Sequence, residues 1–194
     1  SLGTNSLSLD RNETGLLNAR LNLAEPLSLA GADTATLTFD IAAIRTNTES
    51  TAAVLTGFDL DGAPVFALVL GDRNSFGNGG NDRQRPGYEV AGPTRSVLPG
   101  NGVPGSYWWG NGGNGSTLDS SKVAGFSVTV ANSDWNVTTT SQNGDSFTSS
   151  AIPSYDGAAH NSLAYLTLTT YTGTNFGHYW DNITVAGTPS TASP

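Results

Sequence analysis

The chain has no cysteine and no methionine in 194 residues. Disulfide frameworks, thiolate metal sites and thiol nucleophiles are therefore excluded, and stability must come from packing and strand pairing. Lysine is almost missing too: Lys122 stands alone, and the basic total of 8 faces 16 acids for a net charge of −8. That balance argues against nucleic acids and anionic membranes as partners. No stretch approaches the roughly 20 apolar residues that span a bilayer. The opening SLGTNSLSLD lacks the positive and apolar regions of a signal peptide, so no membrane insertion is expected. The closing GTPSTASP resembles the Pro/Ser/Thr tails that link modules of exported proteins, which points to a mature extracellular or cell-surface fragment.

Helical signals are scarce, because Thr, Val, Gly and Asn dominate and no segment keeps a 3.6-residue apolar period over three turns. Period-2 alternation replaces it. In 34–44 (TATLTFDIAAI), Ala35, Leu37, Phe39 and Ile41 share one face and Thr36, Thr38 and Asp40 the other. Strands over 52–60 and 63–70 flank Asp61-Gly62, a dipeptide suited to a two-residue type I′ turn. That turn sets Leu60 opposite Ala63, Phe58 opposite Val65 and Val54 opposite Val69. Apolar residues on both faces place this hairpin in mid-sheet.

Further strands are expected at 123–130, 134–140, 162–170 and 178–185, with a short one near 88–91. About ten short strands separated by turn-rich segments predict an all-β fold, a two-sheet antiparallel β-sandwich of the jelly-roll type. One domain over 1–186 and a tail over 187–194 follow. Trp135, on the face of Val137, and Tyr165, beside Leu163, are expected to be structural.

The segment 71–121 reads mostly as loop, and a connection that long inside a compact domain usually has a function. Within it, 100–115 (GNGVPGSYWWGNGGNG) sets Tyr107, Trp108 and Trp109 side by side among glycines. Three adjacent rings on such a loop cannot all point inward, and exposed aromatic clusters mark contact surfaces. Sugars stack their C–H faces on flat rings while Asn, Asp and Arg bond their hydroxyls, so these residues are ligand-binding candidates. Simple alternation turns Trp180 away from the core, where it would extend the same platform. Two matches to G-x-G-x-x-G, at 100–105 and 110–115, carry nothing, since no βαβ unit follows either.

Four arginines, Arg73, Arg83, Arg85 and Arg95, share the span 72–95 with three acids. Arg83 and Arg85 suit the carboxylate or sulfate of an acidic polysaccharide. Internal pairing with Asp72, Asp82 and Glu89 is the commoner arrangement for such surface charges. Calcium is the metal these side chains suit, through hard oxygen ligands. Gly79-Gly80-Asn81-Asp82 resembles half of a repeats-in-toxin calcium turn, which marks Asp82 and Asp72. Alternation turns Asp181 inward with Ile183 and Val185, where a metal or several hydrogen-bond donors would have to satisfy it.

Catalytic machinery is not recognisable. The four glutamates, at 13, 25, 49 and 89, form no E-x-D-x-E strand, and Asp40 reads as an outward strand residue. A lyase would need a His or Tyr base beside a charge-neutralising Arg or Gln, and the two histidines, His160 and His178, read as packing or surface residues.

The segments YWDNITV, TLTFDIAAI and FDLDGAPVF resemble exported bacterial sandwich domains of the concanavalin A-like and carbohydrate-binding jelly-roll kind. The resemblance implies two sheets, frequent calcium and frequent glycan binding, and it transfers no catalytic residue. The expectation is an extracellular, non-catalytic carbohydrate-binding module. The alternative is a self-assembling fibre or matrix subunit whose terminal segment adds to a neighbour's sheet edge. A polysaccharide lyase or glycoside hydrolase comes third.

Overall fold

The computed structural model describes residues 7–11, 17–45, 52–71, 87–90, 96–97, 124–140, 146–171 and 176–190. These form thirteen strands: β1 (Leu7–Arg11), β2 (Leu17–Ser28), β3 (Ala35–Arg45), β4 (Ala52–Phe58), β5 (Pro64–Gly71), β6 (Gly87–Val90), β7 (Ser96–Val97), β8 (Ala124–Val130), β9 (Asp134–Thr140), β10 (Ser146–Thr148), β11 (Ile152–Pro153), β12 (Ser162–Tyr171) and β13 (Phe176–Gly187). One antiparallel sheet runs β1-β13-β3-β8-β9-β10, with β11 also on β9; the other runs β2-β12-β4-β5-β6-β7. The protein is a two-sheet jelly-roll sandwich, and β4–β5 sits in mid-sheet, as the apolar pattern requires.

The core lies between the sheets. Ala35, Leu37, Phe39 and Ile41 enter it from β3, and Val128, Val130, Trp135 and Val137 from β8 and β9. Phe39 stacks on its cross-strand partner Phe126 at 5.1 Å and leans on Trp180 at 4.9 Å, while Phe66 meets Trp135 at 5.5 Å. Large rings filling this layer explain how a chain without disulfides holds two sheets together.

Three bulges depart from simple alternation. The first corrects the β4–β5 turn. Pairing from 52 to 57 is as expected, including Val54 with Val69, but Phe58 pairs with Pro64 instead of Val65. Asp59 accepts the Gly62 N–H at 3.2 Å and donates its own N–H to Ala63 at 3.0 Å, so the loop is three residues long, Leu60 to Gly62. Gly62 takes φ 81°, the left-handed position that closes such a loop, and the Asp59 side chain captures the Ala63 N–H at 2.8 Å. Val65 becomes the extra residue, and it joins Phe66 in the core.

In β13 the ladder slips between Asp181 and Thr184, where Asn182 adopts φ 51°. One extra residue there puts Trp180 on the core side together with Ile183 and Val185. Trp180 is 1% exposed, so it is a core residue and not part of a surface platform. Asp181 stands opposite Asp40 and turns away from the core, its Oδ1 accepting the Asn182 N–H at 2.8 Å. In β12 a shift between Leu163 and Tyr165 puts Leu163, Leu166 and Leu168 in the core and Tyr165 on the outer face, apart from Leu163.

Residues expected to open the tail pair with the body. Leu27 bridges Pro189, Ser28 donates to Thr188 O at 2.7 Å, and Ser190 donates to Pro26 O at 2.7 Å. The end of β13, in one sheet, is thereby stitched to β2 in the other.

Candidate functional site

Tyr107, Trp108, Trp109, Arg83, Arg85, Asp72 and Asp82 lie outside the described residues. The arrangement that the structure does place on a surface is the outer face of β2, β12 and β4. Core residues occupy alternate positions of these strands, Leu55 on β4 and Leu166 and Leu168 on β12, with Ala19 and Leu23 of β2 packed beside them. Asn18, Arg20, Asn22, Tyr165, Thr167, Thr169, Val54, Thr56 and Phe58 therefore point outward. Tyr165 pairs with Asn22 on one side and Phe58 on the other, and Thr167 with Arg20 and Thr56.

A ladder crosses the three strands. The Phe58 and Tyr165 rings stack at 4.7 Å with 8° between their planes. On the other face of Tyr165 the Arg20 guanidinium carbon sits 3.6 Å from the ring centroid, a cation–π contact. Arg20 Nε donates to Asn22 Oδ1 at 2.7 Å, and Thr169 donates to Asn18 Oδ1 at 2.7 Å. Both faces of Tyr165 are filled, so the ladder offers guanidinium nitrogens, amides, hydroxyls and ring edges. These groups suit hydrogen bonding, and Tyr165 has no free ring face for stacking. The strip ends at β5, where Ala67, the partner of Thr56, is buried.

A second polar cluster ties one end of the sandwich. His160 is buried, with Nδ1 2.9 Å from Asp59 Oδ2 and Nε2 3.1 Å from Asp156 Oδ1. Carboxylates only accept, so both contacts are satisfied when each ring nitrogen carries a proton. The Ala158 N–H and the His160 ring hold the Asp156 carboxyl below the usual carboxylate range. His160 N–H donates to Asn132 O at 2.7 Å, and Asn132 Nδ2 donates back to His160 O at 2.7 Å. Three loops, after β4, β8 and β11, meet here. With both ring nitrogens engaged, His160 is a structural clamp, as a packing histidine should be.

Asp40 and Asp181 were the strand-borne acids of interest. Asp40 faces outward as expected, its Oδ2 accepting Asn182 Nδ2 at 2.6 Å. Among the described residues no three carboxylate or imidazole side chains converge to hold a metal ion, and this pair does not supply the six to eight oxygens calcium takes.

No family model and no curated protein matches the chain. Solved structures match in fold. A sialidase aligns at TM-score 0.58 and 9% identity over 95% of this chain and 16% of its own. Lectin II from Ulex europaeus aligns at 0.56 and 8% over 94% and 87%. Alginate lyase AlyC3, in complex with dimannuronate, aligns at 0.52 and 12% over 96% and 76%. At these identities the likeness is one of fold: the chain shares a two-sheet β-sandwich of the jelly-roll type with these proteins. It spans about a sixth of the sialidase's length.

Proposed function

We propose that the protein is an extracellular, non-catalytic carbohydrate-binding module whose glycan lies across the outer face of β2, β12 and β4. The observation that carries this is the Arg20–Tyr165–Phe58 ladder with Asn22 fixing the guanidinium: amide, hydroxyl and guanidinium groups recur across three strands about 4.8 Å apart. Such a row suits the hydroxyls of an extended sugar chain. Tyr107, Trp108 and Trp109 are proposed to add the stacking contacts that the filled ladder cannot provide. Glycan-array binding tests the reading. Tyr165→Ala and the Trp108→Ala/Trp109→Ala pair should each weaken the signal while leaving the melting curve cooperative; a folded protein that binds no glycan removes it.

One observation favours a lyase as the second reading: a tyrosine and an arginine stand together on a sheet face, the pairing that proton abstraction beside a carboxylate requires. Release of unsaturated chain ends from acidic polysaccharides would establish it. Self-association, the other expectation, would proceed through β2, a sheet-edge strand with Leu21 41% exposed. Filaments that form with rising concentration would show it. Calcium is proposed for the loop carrying Asp72 and Asp82; a melting temperature unchanged by excess EDTA would remove it.

A further inference from the structure

We infer that the ligand of this face is an anionic polysaccharide, recognised through its carboxylate or sulfate groups by Arg20. The inference rests on the glycan-binding reading and adds the chemical class. Acids outnumber bases two to one in the chain, yet the paired strip of this face, 18–22 of β2, 165–169 of β12 and 54–58 of β4, carries no Asp or Glu, and its one charge is Arg20; the exposed Glu25 of β2 lies beyond it, in the stretch between the two paired parts of that strand. An acid-free strip with a cation at its edge strand is the reverse of the protein's overall charge, and its potential favours an anion.

The guanidinium is also set for the purpose. Tyr165 holds its plane from one side at 3.6 Å, and Asn22 occupies Nε at 2.7 Å. Among the described residues no carboxylate pairs with it. The two Nη groups keep their donors in a fixed fork, the geometry that matches a planar carboxylate or a pair of sulfate oxygens. Because stacking and the Asn22 bond fix the side chain beforehand, little rotamer entropy is left to lose on binding.

Titration calorimetry of the intact chain at low salt tests this with three probes: polygalacturonate, its methyl ester and dextran sulfate. Polygalacturonate or dextran sulfate should bind on the order of tenfold more tightly than the neutral ester, and added salt should reduce the difference. Preference for the first assigns carboxylate and for the second sulfate. Arg20→Gln should erase the preference, and Arg20→Lys should restore it in part, since a lysine keeps the charge without the fork. Equal binding of ester and acid, or a preference that survives Arg20→Gln, would overturn the inference and leave the glycan-binding reading standing. Binding to neither these probes nor neutral glycans would overturn both. Melting curves of each variant confirm the fold.

Discussion

Gly57 and Phe66 are cross-strand partners, and the Phe66 ring fills the space that a side chain at 57 would need. A Cβ there would sit 2.9 Å from Leu163 Cδ1 and closer still to the ring. Phe66 is itself packed on Trp135, so it has nowhere to retreat. Gly57→Ala should destabilise the fold by roughly 1–3 kcal/mol through overpacking. Chemical denaturation measures it.

Trp180 packs on Phe39 of the neighbouring strand and is buried between the sheets, so its replacement should be felt as a core cavity. Trp180→Ala is expected to cost about 3–5 kcal/mol. Trp180→Phe should cost less and leave glycan binding intact, since the indole faces the core; a folded Phe variant that loses binding would contradict this placement.

His160 ties its own loop to the Asp59 loop through a carboxylate and to the Asn132 loop through amide hydrogen bonds. Replacing it with Ala leaves the buried Asp59 carboxyl with the Ala63 N–H but without the imidazole on Oδ2, and roughly 1.5–3 kcal/mol of stability should disappear, the range for a hydrogen bond to a charged group. Proteolysis would then begin in the 154–161 loop.

The Asp156 carboxyl lies below its ordinary value of 3.8. A depressed acid stabilises the fold fully above its unfolded value, and the contribution is lost as pH falls through the folded one. Melting temperature should therefore fall below about pH 4. Asp156→Asn should flatten part of that acid limb, by a small amount because the group is exposed and screened.

Alternation made β3 and the far part of the β4–β5 ladder legible, because each residue there faces one uniform environment. It failed wherever an extra residue entered a strand. Asn182 reversed Trp180 and Asp181, the slip at Ala164 turned Tyr165 outward, and Val65 shortened the Phe58 register. The signal available for the first was Asp181-Asn182, since asparagine tolerates the left-handed conformation that a bulge uses. Strand β2 alternates in Leu17, Ala19, Leu21 and Leu23, but its Ala, Asn, Glu and Pro content hides a strand from propensity. Missing β2 and the turn of Tyr165 together concealed the outer-face strip. Its parts come from positions 20, 58 and 165, which only the pairing of β2, β12 and β4 brings together.

The central claim is that glycan lies on this strip, and amide chemical-shift mapping during titration with an oligogalacturonate tests it most directly. Perturbations should gather at Asn18–Asn22, Thr56–Phe58 and Tyr165–Thr169, with the 154–161 loop unmoved. Saturable binding that leaves those three segments unshifted would contradict the account.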